Sequence, residues 1–164
     1  MSPKSRVFWP ILICWLVLDV ITKWWALAAL HPGVPYEVLG NFLRWTLAFN
    51  RGAAMGMHLG EWSRPVFTVI GVGMLGVLSW LYYKTRASQR LQAAIIAFIM
   101  AGAVGNLIDR IRFGQVTDFI DVGVGTVRFW TFNVADMGIT CGAIALALVL
   151  EAEGKKERAE ERGR

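Results

Sequence analysis

The 164 residues are 55% hydrophobic, include eight Trp, and have a mean hydropathy of +0.47, where a soluble domain is about 45–50% apolar. The formal charge is +5, but the Lys and Arg residues sit at the ends of apolar runs and form no single basic face, which argues against a nucleic-acid partner. Four runs, at 7–30, 66–83, 91–108 and 134–150, come near or exceed the length that crosses a hydrocarbon core of roughly 30 Å, leaving little chain for a separate soluble domain.

The expected fold is therefore an all-α membrane protein with four transmembrane helices. One domain fills 1–150, with outer loops at 31–65 and 111–133, and a charged cytoplasmic tail follows at 151–164. The basic residues divide into ten on the side of the termini (Lys4, Arg6, Lys84, Arg86, Arg90 and five in the tail) and six opposite (Arg44, Arg51, Arg64, Arg110, Arg112, Arg128). This places the termini in the cytoplasm. Cys14 and Cys141 lie inside spans and are expected as small apolar packing residues rather than a disulfide.

The first run resembles a secretory leader, with Lys4, Arg6 and an Ala26-Leu27-Ala28 stretch, but Asp19, Lys23, Trp24 and Trp25 interrupt its late part. It reads as an uncleaved span. Asp19 lies roughly 18 Å along it at 1.5 Å per residue, and Lys23 shares its face one turn on. A charge at that depth costs about 2.5–3.5 kcal/mol, so the two are expected to pair or to meet polar neighbours.

The loop at 31–65 is too long for a plain connector. Trp45, Leu47 and Phe49 alternate with Thr46, Ala48 and Asn50, the period of a half-buried strand, and Gly40-Asn41 can turn a hairpin before it. Asn50-Arg51-Gly52-Ala53-Ala54 then reads as a turn of small residues. The second span holds no ionisable residue; Gly71, Gly73 and Gly76 suit close helix packing.

The third span ends Gly105-Asn106-Leu107-Ile108-Asp109-Arg110. Asn106 inside a span must find hydrogen-bond partners, and Arg110 is placed to meet a carboxylate or a substrate carbonyl. The stretch 116–136 follows, with Asp118 near its front, a second strand-like run at 127–132, and Asp136 just inside the fourth span. Asn133 followed three residues later by Asp136 has the pattern of a helix cap, where an acid is welcome. Yet Asn133, Asp136 and Thr140 share a face on a helix with no other charge before Glu151, and Gly138 and Gly142 make a small-residue packing edge. The ionisable residues of the spans thus converge on one half of the bilayer. Two carboxylates brought together there point to acid/base chemistry on a peptide bond.

Asp19-x-x-x-Lys23, Asn50-x-Gly52-Ala53-Ala54, the Gly105–Arg110 run, Asp118-Phe119-Ile120-Asp121 and Phe132-Asn133-Val134-Ala135-Asp136 occur in the order found in lipoprotein signal peptidases, or signal peptidases II, which this chain resembles. The resemblance implies a bacterial inner-membrane aspartyl peptidase with its site at the outer leaflet. Such an enzyme cuts the signal peptide from a prolipoprotein before a diacylglyceryl-modified cysteine. It implies Asp118 and Asp136 as the catalytic pair; Asn50, Gly52, Asn106, Arg110 and Asn133 lining the site; and Asp19, Lys23 and Asp109 supporting it. It also implies a small extracytoplasmic β-cradle and a segment near 57–64 lying over the site. Met55 and Met137 depart from the family, which usually has an aromatic residue and a small one there. Asp121 rivals Asp118 by proximity, though the motif favours the acid directly before Phe119.

No cofactor or metal is expected, since His31 and His58 lack any ligand spacing. The expected partners are diacylglyceryl-prolipoprotein signal peptides and membrane lipid, with the chain a monomer. The competing readings are a small transporter using Asp19, Asp109 and Asp136 as a proton path, a GxGD-type peptidase whose motif is absent, and a structural helix bundle.

Overall fold

A computed structural model of the chain describes residues 1–52 and 60–162. Ala53, Ala54, Met55, His58 and the 57–59 part of the expected covering segment lie outside the described residues. The order is α1 (Pro3–Ala29), β1 (Pro35–Leu39), β2 (Leu43–Asn50), a 3-10 turn (Gly60–Trp62), α2 (Ser63–Lys84), α3 (Arg90–Phe113), β3 (Val116–Val124), β4 (Val127–Arg128) and α4 (Val134–Arg162). Among the described residues four helices are long and apolar enough to cross a membrane. The chain is a multi-pass membrane protein.

The helices differ in what surrounds them, and that difference positions everything else. The apolar stretch of α3 is 61% buried, while those of α1, α2 and α4 are 17%, 6% and 22% buried. So α3 is the hub, and the other three turn residues such as Ile21, Val72, Trp80 and Leu148 outward, where lipid rather than water must meet them. Small residues let α4 approach the hub. A Cβ on Gly138 would overlap the Trp15 indole of α1, and one on Gly142 would lie 2.5 Å from Ile99 Cγ1 of α3. The core at the terminal end is Phe8, Leu78, Ile95, Ile96 and Ile99.

Local signals set the helix ends. Ser2 caps α1 by accepting the Ser5 N–H, with Pro following at the first helical position. Gly114 closes α3 in the left-handed region at φ 71°. Lys4 reaches across from α1 to donate to the carbonyls of Tyr82 (2.7 Å) and Thr85 (2.6 Å), satisfying the open end of α2.

The strands form one antiparallel sheet in the order β1-β2-β3-β4. A bulge in β2 between Trp45 and Ala48 shifts the register, so Ala48 pairs with Asp118 and Asn50 with Val116. Trp25 of α1 packs edge to face against Trp45 and Phe119, which lie tilted against each other, and buried Leu30 and Leu47 join them. Asp121 of β3 fastens β2 and β4 to its own strand. Its carboxylate takes Arg44 Nη2 at 2.8 Å and Arg128 Nη2 at 2.8 Å, with Thr46 Oγ1 at 3.0 Å.

Three expectations need correction. The second strand-like run at 127–132 is a strand only at Val127–Arg128; Phe129 and Trp130 turn outward, and the chain rejoins the sheet at a single bridge from Phe132 to Ile120. Among the described residues a Cβ added at Gly73 or Gly76 would meet nothing within 4 Å, whereas one at Gly71 would lie 3.5 Å from Leu107 Cδ1. Cys14 and Cys141 are free thiols on exposed helix faces, not packing residues. For the α2 glycines the reason is that a span apolar all round carries no polar face to show which side turns inward.

Candidate active site

The site begins as a helix start. Asn133 Oδ1 accepts the Asp136 N–H at 2.9 Å, and Asp136 Oδ2 accepts the Asn133 N–H at 3.2 Å. That is a reciprocal capping box, with Asp in the third-residue role. Asn133 is fully buried, and its remaining Nδ2 group donates to Asp118 Oδ1 at 2.7 Å. The cap and the carboxylate pair are thus one arrangement, held by a single amide. Asp118 arrives there because Phe132 pairs with Ile120 (N to O, 3.0 Å), which lays the residue after Phe132 beside the strand.

Behind the pair stands a buried polar cluster. Lys23 Nζ lies 2.9 Å from Asp19 Oδ2, 3.2 Å from Asp109 Oδ2 and 3.0 Å from Asn106 Oδ1. Asn106 Nδ2 donates to Asp136 Oδ1 at 2.7 Å. Asp19 Oδ1 accepts the Ala135 N–H at 2.9 Å, and Asp109 Oδ2 accepts the Thr117 N–H at 3.0 Å. Each carboxylate therefore ties one helix to the residue beside a member of the pair.

The third side is the end of β2. Asn50 Oδ1 accepts the Gly52 N–H at 2.9 Å, a side-chain turn of the kind Asn favours. Gly52 O in turn accepts Arg110 Nη2 at 3.1 Å, and the Arg110 guanidinium lies 5.9 Å from the Phe67 ring centre.

A cavity of about 910 Å³ opens onto this constellation, lined by Asn50, Asn106, Arg110, Asp118 and Asp136 and by apolar groups including Phe67, Ile70 and Trp130. Burial, then the nearby Asp136 charge, push the Asp118 carboxyl up to about 7, against the hydrogen bonds of Asn133 and Asn50 that favour its ionised form. Asp121 behaves oppositely. Its burial works against ionisation, but the hydrogen bonds of Arg128, Arg44 and Thr46 prevail and hold it below the usual carboxylate range. An acid that keeps its proton near neutrality, beside a second carboxylate in a cavity, can pass a proton in either direction.

Residues 11–151 match the family model described as Signal peptidase (SPase) II. The lipoprotein signal peptidase of Hydrogenovibrio crunogenus is 40% identical over 81% of this chain and 78% of its own length. That of Clostridium novyi is 39% identical over 88% and 97%. A solved structure described as a bacterial membrane enzyme superposes with a TM-score of 0.85 at 30% identity, covering 95% of each chain. The chain belongs to the signal peptidase II family.

As a signal peptidase II family member it is an aspartic peptidase. Asp118, Asp136, Asn106, Arg110 and Asn50 line one cavity; Asn133 and Gly52 are bonded to its lining through Asp118 and Arg110, and Asp19, Lys23 and Asp109 lie behind it. Asp121 is held apart by two arginines. Sequence reasoning passed over the backbone amides of Ala135 and Thr117, which carry no residue-type signal, and the aromatic lining from Phe67, Phe129 and Trp130. Met137, the departure beside Asp136, lines the cavity and is 40% exposed.

Proposed function

We propose that this chain removes signal peptides from prolipoproteins, cutting before a diacylglyceryl-modified cysteine, with Asp118 and Asp136 activating water between them. The observation that carries the reading is the single Asn133 side chain and backbone bonded to both acids. Two carboxylates so joined share a proton rather than both ionising. The ionised member takes a proton from water as it attacks the scissile carbonyl. The protonated member polarises that carbonyl and then protonates the leaving amine.

Asn50, Gly52, Asn106, Arg110 and Asn133 shape the place where the extended peptide lies, and the apolar lining lets the acyl chains remain in lipid. The enzyme sits in the bacterial inner membrane as a monomer, its termini cytoplasmic and its cavity at the outer leaflet. The curated relatives carry the name lipoprotein signal peptidase, and the sheet and polar cluster lie at one end of the helices; both support this placement. Charges gathered at one end leave no proton path across the bilayer, which disfavours a transporter.

The test is a gel-shift assay in membranes with a diacylated prolipoprotein and its unlipidated form. Only the lipidated form should shift, and Asp118→Asn and Asp136→Asn should each abolish the shift while the protein still inserts. Cleavage retained by either variant removes that residue from the chemistry.

A further inference from the structure

The two amides between the carboxylates, Asn106 and Asn133, each have an oxygen end and a nitrogen end, and which end faces a carboxylate decides whether it is helped or opposed as an anion. Neighbours that cannot be read two ways settle both. The Asp136 backbone N–H donates to Asn133 Oδ1 at 2.9 Å, so the Asn133 nitrogen must face Asp118 and Asn106. The Lys23 ammonium, which has donors only, sits 3.0 Å from Asn106 Oδ1, and Asn133 Nδ2 donates to the same oxygen at 3.1 Å. Asn106 is left with one orientation, its Nδ2 on Asp136 Oδ1 at 2.7 Å.

Both oxygens of Asp136 are then filled by donors that cannot become acceptors: the locked Asn106 amide on one, the Asn133 backbone N–H on the other. The start of α4 adds its dipole and Arg110 its charge. The Arg110 charge reaches Asp118 too, but Asp118 has no helix start, since it lies in the middle of a strand and takes its donors from the Asn133 and Asn50 side chains.

We infer that Lys23 is a positioning residue that fixes the orientation of the Asn106 amide and thereby makes Asp136 the ionised base and Asp118 the proton-carrying acid. This rests on the two-carboxylate reading above, which left the roles unassigned. Among the described residues, the charged and titratable groups around the pair are Asp19 and Lys23 from α1, Asp109 and Arg110 from α3, and the two acids themselves from β3 and α4. Of these, Lys23 alone touches the amide that Asp136 leans on.

A bare charge and an orienting donor make different predictions. If Lys23 acts through Asn106, then Lys23→Gln and Asn106→Leu each raise the low-pH limb of the kcat/KM profile by about one pH unit. The double variant shows the same shift as either single one, because two changes on one chain of contacts do not add. If Lys23 acts as a distant charge, the shifts add, and the inference is overturned. It is also overturned if Lys23→Gln lowers kcat with the limb unmoved, the mark of a purely structural role. Should Lys23→Gln alone not fold, because Asp19 is left without its cation, Asp19→Asn/Lys23→Gln removes both charges, keeps an oxygen for the Ala135 N–H, and is read in the same way. The peptidase reading fails separately: it fails if the parent chain does not cleave a fluorogenic diacylated peptide at any pH.

Discussion

Asp19, fully buried on α1, accepts the backbone N–H of Ala135, the residue before Asp136, at 2.9 Å. The contact requires α3 to be thin where it passes between them. A Cβ on Gly105 would overlap Asp19 Oδ2, and one on Gly102 would overlap the Ala135 carbonyl and lie 2.9 Å from Ile139 Cγ1. A backbone carbonyl cannot swing aside as a side chain can. Gly102→Ala is therefore expected to cost about 1–3 kcal/mol of stability, the usual range for overpacking, and to lower kcat by displacing Asp136. Gly73→Ala on α2, with nothing within 4 Å, is the control, expected neutral or slightly stabilising. Thermal unfolding of both in detergent micelles checks this; equal losses would refute the close-approach argument.

Asn133 has two duties that different substitutions separate. Its Oδ1 caps α4 and its Nδ2 holds Asp118. Ser keeps a capping oxygen and loses the amide donor, whereas Ala loses both. Asn133→Ser should retain most of the stability and lose cleavage, while Asn133→Ala should lose cleavage and a further 0.5–2 kcal/mol or so of stability. Comparing melting temperatures and turnover of the two variants tests it. Equal stability would mean that the cap contributes little.

The spans, the Gly40-Asn41 hairpin and the close edge at Gly138 and Gly142 were legible because each depends on short-range pattern: length of apolar run, a turn residue pair, residues one helical turn apart. The 133–136 cap was legible for the same reason. What joins Asp19 to Ala135 or Lys23 to Asn106 spans 116 and 83 positions, and no local period encodes it. Only the rule that a buried charge must find a partner pointed that way. The bulge in β2 was hidden too, since the alternation of Trp45, Leu47 and Phe49 continues through it. The aromatic strand-like run at 127–132 misled because β propensity reports how side chains suit a half-buried pleated surface, whereas Phe129 and Trp130 are exposed here and Phe129 keeps only a backbone hydrogen bond to Val122 O at 2.8 Å.

Asp121 shares the strand and the burial of Asp118 and differs in its partners. Its two arginines and Thr46 hold its pKa below the ordinary value despite burial. A depressed carboxylate contributes stability that is fully present above its unfolded pKa of about 3.9 and is lost as pH falls through the folded value. Asp121→Asn should therefore lower the melting temperature at pH 7, with the gap to the parent closing as the solution is taken below about pH 4. Cleavage should persist, reduced only as the sheet loosens. A full loss of cleavage with an unchanged melting temperature would move Asp121 into the chemistry and count against Asp118.

For Asp118 the sign reverses. Its folded value, about 7, lies above the unfolded one, so the folded state holds the proton more tightly and stability declines as pH rises between about 4 and 7, then levels. Asp118→Asn keeps the shape of the acid and cannot ionise. Its melting temperature should match the parent near pH 4, draw ahead as pH rises, and keep a constant lead above pH 7. The same proton appears in catalysis. If Asp118 is the acid, kcat/KM of the parent should fall on the alkaline side of about 7, although such a limb belongs to the coupled pair rather than to one residue. Melting curves of parent and variant at several pH values, beside a pH profile of cleavage, check both halves. A variant whose stability tracks the parent throughout would show that Asp118 ionises without cost where it sits, and would leave the pair without its proton carrier.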